Sequence, residues 1–453
     1  MSQQRRERMS SASWEPTSNN HRIFRTVSPR FHDGLLQLYW AHYGTVVPMV
    51  DRDLFERSKK TADGVFYSHF LHVSMLAMGH RFADQSEQEV QSTTTSPGQS
   101  TFHRECRHLL WQALDAPNMC DISAVLILSD LEFGLGNSSL GRRFVGMASQ
   151  LVSDMVMAEN CISSGQFHSE EARVQRQIVV ACSLYDKNWA QLVHQSAFVK
   201  DPDPRSPPHE RRIRSTEGHE PPLCNTLDAF DERVSIATGE LQRLVGSIIE
   251  LWLLAGDTHH LSAQLSTIYP TVATLNREMT TWYQNLPPDL QWTSSNQHLM
   301  PGSFFLLHQQ YNAAIIRLHQ PLSWGWAQSD RLEADGEMEQ AHLKHLAAIS
   351  QLACLNHAIQ IARILAAKQS RFGQILALLP ELQTVLTATS ALMDGVVQAA
   401  ENAQRDLALQ NLKVILHSLD AMSNAPRPAQ VMMTMIRSFL NRHEMSHHSN
   451  TSE

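Results

Sequence analysis

The stretch TWYQNLPPDLQW, residues 281–292, places two tryptophans, a tyrosine and a Pro-Pro pair at the end of a segment with helical spacing. Four apolar residues share one helical face through this segment: Leu275, Met279, Trp282 and Leu286. Pro287-Pro288 predicts the end of that helix, because proline lacks a backbone N–H and disfavours helix in the residue before it.

The aromatic residues of this stretch allow two interpretations, an exposed recognition platform or the packed end of a helix. The second is favoured, with Leu290 and Trp292 expected to fold back against a helix that begins near Phe304. On this interpretation the stretch specifies the fold and does not by itself bind a ligand.

Helical spacing of apolar residues continues through most of the chain, in residues that are mostly good helix formers. Seven segments show it: 67–82, 142–158, 172–190, 240–256, 304–322, 353–368 and 411–422. No sustained alternation of β-branched residues competes with this pattern. The sequence therefore predicts an all-α protein, a multi-helix array of a dozen or more helices with no significant sheet.

Composition and charge exclude several classes of protein. The 453 residues are 42% hydrophobic and carry a formal net charge of −8, which argues against a surface that is one large nucleic-acid footprint. No apolar run is long enough to cross a bilayer, so no membrane partner is expected. The six cysteines are scattered without a CxxC pair, which favours free thiols in an intracellular, reducing compartment.

Polar and proline-rich stretches predict five divisions of the chain. We expect a disordered polar, basic tail at 1–30, the N-terminal half of a helical domain at 31–199, and a Pro-rich linker or loop at 200–225. The C-terminal half of the domain follows at 226–441, and a disordered tail at 442–453.

Two short stretches within these divisions have their own interpretations. RRER (5–8) is either a nuclear-import signal or part of a solvated tail, and it is too short to be specific. QSEQEVQSTTTSPGQS (85–100) has almost no large apolar residues and is predicted to be a flexible loop.

A search for catalytic and metal-binding motifs gives no site. FGLGNSSLGRR (133–143) is glycine-rich but is interpreted as a connection between two helices, since no Lys-Ser/Thr follows it. No Cys, Asp or Glu stands at a recognised zinc spacing from the histidines of the chain. This holds for the HxxH motif at His342 and His345 and for the His-His pairs at 259–260 and 447–448. We therefore predict a protein that is not an enzyme, with no catalytic, cofactor-binding, metal-binding or DNA-binding residue identified.

Four blocks of the chain, which together cover roughly residues 31–441, carry a family resemblance. The first, LLQLYWAHYGTVVPMVDRDLFERS (35–58), contains an aromatic entry helix, a Pro-containing turn and an Asp-Arg-x-x-Phe segment. The second ends in the helix at Gly146-Met147-Ala148, and the fourth runs from the opening stretch to about residue 365. In this order they resemble the fungal-specific transcription factor domain, the middle homology region of fungal zinc-binuclear-cluster regulators.

The third block, residues 170–196, departs from the family pattern. Val179-Val180 stand where the family usually has Trp-Trp, and His194-Gln195-Ser196 stand where Gly-Arg-Pro is usual. The zinc cluster, two CxxC-x6-C runs in the family, is also missing, since no cysteine precedes residue 106. Three explanations stay open: a regulator that lost its DNA reader, a fragment of a longer factor, or a helical fold kept for another role.

The resemblance implies a transcriptional regulator or co-regulator of a fungal metabolic gene cluster, in secondary metabolism, acting in the nucleus or shared with the cytoplasm. The alternative is a non-DNA-binding interaction protein that modulates a full-length regulator. Expected partners are other transcription regulators or a second copy of the chain, with DNA contacted only indirectly or weakly.

A small-molecule effector is a further partner that the resemblance suggests. Methionine adapts to varied apolar shapes, and five methionines are candidates to line an effector pocket. They are Met75, Met78, Met147, Met155 and Met157. The competing interpretation, which is favoured, is that these side chains only fill the core.

Overall fold

The computed structural model describes residues 23–24, 26–61, 63–162, 170–193, 197, 226–255, 261–329, 337–373, 378–399, 402–422 and 425–450. Over these residues the chain is a bundle of sixteen α-helices with one two-stranded hairpin, so the all-α prediction is confirmed. No described helix is long and apolar enough to span a membrane.

The described part of the first half of the chain contains eight helices. They are α1 Pro29–Leu38, α2 Arg52–Thr61, α3 His69–Phe82, α4 Gln88–Thr93, α5 Thr101–Ala113, α6 Met119–Gly134, α7 Ser138–Ile162 and α8 Glu170–Val193. Strands β1 Thr94–Ser96 and β2 Gln99–Ser100 pair antiparallel between α4 and α5. A π-helical turn, Tyr39–Gly44, continues α1.

Longer helices make up most of the second half. They are α9 Thr226–Ala255, α10 Leu261–Gln284, α11 Ser294–Leu299, α12 Gly302–Ser329, α13 Glu337–Phe372, α14 Leu379–Gln398, α15 Asn402–Asp420 and α16 Arg427–Asn450. A short 3-10 turn, Pro288–Leu290, separates α10 from α11. The seven segments with helical spacing lie, to within two residues at their ends, on α3, α7, α8, α9, α12, α13 and α15.

The glycine-rich segment 133–143 joins α6 to α7, as predicted. Gly136 has a φ of +83°, a left-handed conformation that glycine adopts without a steric penalty. At the other end of α6, Asn118 forms a capping box: its side chain accepts from the Asp121 N–H at 3.0 Å, and the Asp121 carboxylate accepts from the Asn118 N–H at 3.0 Å.

The prediction of a flexible loop at 85–100 is wrong, because this segment forms α4 and the β1–β2 hairpin. Its one large apolar side chain, Val90, is fully buried and anchors α4 to the core. The His80 imidazole contacts the Thr93 hydroxyl at 3.1 Å, and Gly98, with a φ of +77°, permits the tight turn between the strands. One buried valine and local hydrogen bonds therefore hold a segment whose composition is otherwise typical of a loop.

The predicted divisions meet the described residues only in part. Residues 1–22 and 200–225 lie outside them, but Phe24 is buried against His72 at a ring separation of 4.6 Å, within the predicted tail 1–30. Helix α1 begins at Pro29, where the Ser28 hydroxyl accepts from the Phe31 N–H. Helix α16 continues to Asn450, so the boundary predicted at residue 441 falls inside this helix.

Two hydrophobic clusters form the core of the described residues. The larger one combines side chains of α1–α8 with side chains of α13–α16, so it draws on both sides of residues 200–225. The smaller one lies among α9, α10, α12 and the end of α13. The two predicted halves of the helical domain therefore share their main core.

Helices α1 and α3 cross in direct backbone contact at Gly79. A Cβ atom built on Gly79 would lie 2.0 Å from the carbonyl oxygen of Leu35 and 2.7 Å from its carbon. Both positions are buried in the larger cluster. Only glycine allows this close approach without moving one helix.

The opening stretch is the packed end of a helix, as predicted. Helix α10 ends at Gln284, and the fully buried Leu290 follows in the 3-10 turn. The Trp292 ring stacks on Phe304 of α12 with centroids 5.5 Å apart and planes 9° apart, and Tyr283 stacks on Tyr311 at 4.0 Å.

His308 of α12 holds this packed end by two hydrogen bonds. Its Nε2 lies 3.0 Å from the Leu290 carbonyl oxygen, and its Nδ1 lies 3.0 Å from the Tyr283 hydroxyl. The carbonyl oxygen can only accept, so Nε2 carries the proton and the hydroxyl donates to Nδ1. Burial lowers the pKa of His308 from 6.5 to about 3, and the ring stays neutral in the folded protein.

Acid is expected to destabilise the protein through His308. Above pH 6.5 the ring is neutral in both folded and unfolded chains, but below it only the unfolded chain takes up the proton. This stabilisation is therefore lost as the pH falls from 6.5 toward 3, at a cost of about 2 kcal/mol by pH 5. Urea unfolding of His308→Gln and the native protein measures this between pH 8 and pH 5.

His308→Gln keeps a donor for the Leu290 carbonyl and loses the titration. Its free energy of unfolding is expected to fall less steeply with pH than that of the native protein. Above pH 7.5 the two curves should differ only by a constant offset. Parallel curves from pH 8 to pH 5 would contradict the assignment of a neutral, buried imidazole.

Candidate functional site

A cleft between the two halves of the chain is the candidate site. One wall is the turn after the π-helical segment together with one face of α8, and the opposite wall is formed by α9 and the start of α12. The cleft is small, with a cavity volume of about 30 Å³. Its lining consists of Val46, Val47, Pro48, Gln177, Val180, Ala181, Leu184, Val234, Ser235, Thr238, Ser303, Leu306, Leu307 and Gln310.

The lining is apolar with a few polar groups and no charged side chain. The Gln177 side-chain carbonyl and the Ser303 hydroxyl are both buried, and neither has a hydrogen-bond partner among the described residues. Gln177 is 6% exposed and Ser303 is 3% exposed. Buried polar groups are normally paired, because an unpaired one costs about 1–3 kcal/mol.

Backbone contacts fix the mouth of the cleft where α12 meets the turn. The Ser303 N–H donates to the Thr45 carbonyl at 2.7 Å. A Cβ atom on Gly302 would lie 2.6 Å from Val46 Cγ2. The turn is itself held by Tyr43, whose carbonyl accepts from the N–H groups of Val46 and Val47 at 2.9 and 3.0 Å.

Gln310 connects the cleft to helix α14. Its Nε2 donates to the Pro380 carbonyl at 2.9 Å and to the Asn188 Oδ1 at 3.3 Å, and its Oε1 accepts from the Asn188 Nδ2 at 3.4 Å. Unlike Gln177 and Ser303, this side chain has partners for both ends of its amide. It therefore joins α8, α12 and the first turn of α14.

A second feature is a buried polar network around Asp130, whose residues do not line the cleft. The Asp130 carboxylate accepts hydrogen bonds from the hydroxyls of Tyr43, at 3.0 Å, and Tyr185. It also accepts one from the backbone N–H of Leu379, at 3.0 Å, where α14 begins. The Arg81 guanidinium donates to the Asp130 carbonyl at 3.4 Å. The side chains of Asp130, Tyr43 and Tyr185 are fully buried.

Burial governs the ionisation of this network. It raises the pKa of the Asp130 carboxyl, and hydrogen bonds from Tyr185 and Leu379 with the charge of Arg81 oppose that rise. It also raises the pKa of the Tyr43 and Tyr185 hydroxyls well above their usual range, so both stay protonated and donate. A buried carboxylate that accepts from three donors on separate segments is suited to holding helices together.

The methionines proposed for an effector pocket lie elsewhere. Met75 and Met78 are fully buried in the larger cluster, and Met147 and Met155 are half-buried against it. The side chain of Met157 lies outside the described residues. None of the four described methionines lines the cleft, so these four fill the core.

The histidines and cysteines give no metal site within the described part of the chain, where no three His, Cys, Asp or Glu side chains come together. His345 is exposed on α13, and the side chains of His342, His447 and His448, like residues 259–260, lie outside the described residues. Four cysteines are described, and all four are buried free thiols: Cys106, Cys120, Cys182 and Cys354. Free thiols were the expectation from their spacing.

Sequence reasoning identified no residue of the cleft as a site. Its walls come from four separate segments, a turn and three helices, and on the helices the lining residues have the spacing of core positions. A buried glutamine such as Gln177 within the apolar face of α8 is the one available signal, and it is weak because polar residues on helices are usually solvated.

The architecture is that of an all-helical body whose two halves share a core and enclose a small uncharged cleft. Residues 36–195, which form one wall of that cleft, match the family model of the fungal specific transcription factor domain. The resemblance seen in the sequence is therefore confirmed over these residues.

Two curated relatives are similar to a larger part of the chain. An uncharacterized transcriptional regulatory protein of Schizosaccharomyces pombe is 23% identical over 319 residues, which cover 66% of this chain and 49% of the relative. The nitrogen assimilation transcription factor nirA of Emericella nidulans is 22% identical over 298 residues, 63% of this chain and 33% of the relative. The chain thus corresponds to about half the length of one relative and a third of the other. No solved structure matched.

Proposed function

We propose that this chain regulates transcription in a fungus and that its helical body is the regulatory part. The observation that carries this proposal is the match of residues 36–195 to the fungal specific transcription factor domain. Two relatives named as transcription regulators support it, and one of them is named for nitrogen assimilation, a metabolic programme. The role that follows from this match and these relatives is regulation, and the chain itself performs no chemical step.

The finer part of the proposal concerns location, targets and partners. The protein acts in the nucleus on a metabolic gene cluster of secondary metabolism, and it associates with another regulator or with a second copy of itself. Base recognition falls to a zinc cluster, in a partner or in the same polypeptide, since the described helices supply the body.

Deleting the gene is expected to change the transcripts of a contiguous set of genes severalfold. RNA sequencing of the deletion strain measures this, and chromatin immunoprecipitation of the tagged native protein should enrich the promoters of the same genes. A secondary-metabolism cluster and a set of nutrient-use genes are distinguished directly by which transcripts respond.

Two variants are re-expressed in the deletion strain: Asp130→Ala as the test and Ser418→Ala as its matched control. Asp130→Ala removes the centre of the buried network and should fail to restore the transcripts, whereas Ser418→Ala removes a buried hydroxyl from α15 and should restore them. Unchanged transcripts together with no promoter enrichment would contradict the role. Recovery of a zinc-cluster regulator with the tagged protein, and loss of enrichment without that regulator, would assign it to the interaction-protein alternative.

A further inference from the structure

We propose that the solvent-facing side of α16 is a docking surface for an acidic, amphipathic helix of a partner protein. This inference deepens the proposed function and rests on it, because it gives the surface through which a regulatory body contacts another regulator. We call this surface the outer stripe. It consists of five exposed residues at three- and four-residue steps: Arg427, Val431, Met435, Ser438 and Arg442.

Helix α16 carries more apolar side chains than the core uses. Its inner face is buried in the larger cluster, and the residues of that face are Ala429, Met432, Ile436 and Leu440. Val431 and Met435 lie one turn apart on the solvent side, where they are 70% and 40% exposed. Covering these two side chains would remove apolar surface from water, which is favourable. A partner, and not the fold of this chain, therefore accounts for them.

The charges along the described side chains of α16 have one sign. Residues 427–443 contain three arginines and no Asp or Glu before Glu444, although the whole chain carries a net charge of −8. Arg437 forms an ion pair with Asp420 of α15. Arg427 and Arg442 stand at the two ends of the outer stripe, about 22 Å apart along the helix axis. The stripe therefore has an apolar centre and a positive charge at each end.

The partner that complements this pattern is a helix about four turns long, with apolar residues in the middle of one face and acidic residues near both ends. Val431 and Met435 are spaced to pack against the apolar residues of such a helix, and methionine adapts to varied apolar shapes. Ser438 lies on the next turn, where its small side chain allows the partner to approach closely. Carboxylates opposite Arg427 and Arg442 add specificity and speed association.

A second copy of this chain and a nucleic acid both fit the outer stripe poorly. When two α16 helices pair symmetrically, an arginine end of one lies beside an arginine end of the other, and like charges in contact cost free energy. A phosphate backbone would contact the arginines but gain nothing from the exposed Val431 and Met435 between them. Of these three partners, only the acidic amphipathic helix uses both parts of the stripe.

Site-specific photo-crosslinking of the tagged full chain in its native host tests this proposal. The photoreactive residue p-benzoylphenylalanine is placed at position 431, and mass spectrometry identifies the cross-linked peptide. The expected product is a peptide of another protein with a net negative charge and apolar residues at helical spacing. Combining Arg427→Glu with Arg442→Glu should lower the yield roughly fivefold or more, because both ends of the stripe then repel the partner. The melting temperature of this variant checks that it is folded.

Position 397 is the matched control, since Val397 of α14 is a helical valine with a similar exposure, 66%, and its own turn contains Asp394 and no arginine. The same photoreactive residue placed there should give little product. Equal yields at positions 397 and 431, or a yield at 431 that the two glutamates do not lower, would overturn the proposal. So would a cross-link to a neutral or basic peptide, to a second copy of this chain or to DNA. Each of these results would leave the transcriptional role standing, because that role is measured by transcripts and promoter enrichment.

Discussion

Asp130→Ala is expected to lower the free energy of unfolding by about 3–5 kcal/mol, one of the two largest effects of any single substitution described here. The alanine removes the acceptor for Tyr43, Tyr185 and the Leu379 N–H at once. These donors are buried. The two tyrosine hydroxyls lie 3.0 Å apart and can still pair with each other, but one hydroxyl proton and the Leu379 N–H lose their acceptor. Urea unfolding followed by circular dichroism measures the loss.

Asp130→Asn separates the hydrogen bonds from the charge. Asparagine keeps the shape of the side chain and one oxygen for the Leu379 N–H, and the tyrosine hydroxyls can rotate to accept from its amide. Its loss should therefore be clearly smaller than that of Asp130→Ala. A loss below about 1 kcal/mol for Asp130→Ala would show that the network contributes little to stability.

Gly79→Ala is expected to cost about 3 kcal/mol or more, although the change adds a single methyl group. The new Cβ would lie 2.0 Å from the Leu35 carbonyl oxygen, and a backbone atom in the middle of α1 cannot rotate away as a side chain would. Helices α1 and α3 must separate, and the buried contacts between them are weakened. The melting temperature of the purified variant reports this.

Gly34→Ala is the matched control on the same helix pair. A Cβ atom on Gly34 meets nothing within 4 Å, so the substitution adds helix propensity without a clash. It should stabilise the protein by up to about 1 kcal/mol. Equal effects of the two substitutions would contradict the close approach at Gly79.

The helices and the end of α10 could be predicted because their signals are local. Apolar spacing is a property of ten to twenty consecutive residues, and a Pro-Pro pair ends a helix whatever lies around it. The packing of Trp292 on Phe304 followed from the same spacing, since Phe304 begins the next apolar helix.

The cleft and the Asp130 network could not be predicted, because their parts are distant in the sequence. Asp130 accepts from Leu379, 249 residues away, and Gln177 shares a cleft with Ser303. The prediction for residues 85–100 was wrong for a related reason: the composition is typical of a loop, but burial of Val90 in the core and hydrogen bonds such as His80 to Thr93 order the segment. Long-range contacts of single residues leave no periodic trace in a sequence.

The shared core has a practical consequence for dissecting this protein into pieces. Side chains of α13–α16 complete the cluster that α1–α8 begin, so a polypeptide cut between residues 200 and 225 exposes an apolar surface on each piece. Truncated proteins that end there are expected to aggregate, because their fold is incomplete. A loss of function in them therefore does not show that the missing half carries a separate activity. Co-expression of the two pieces, in contrast, gives each the complementary surface it lacks, and fragment complementation is the suitable format for mapping which half contacts a partner regulator.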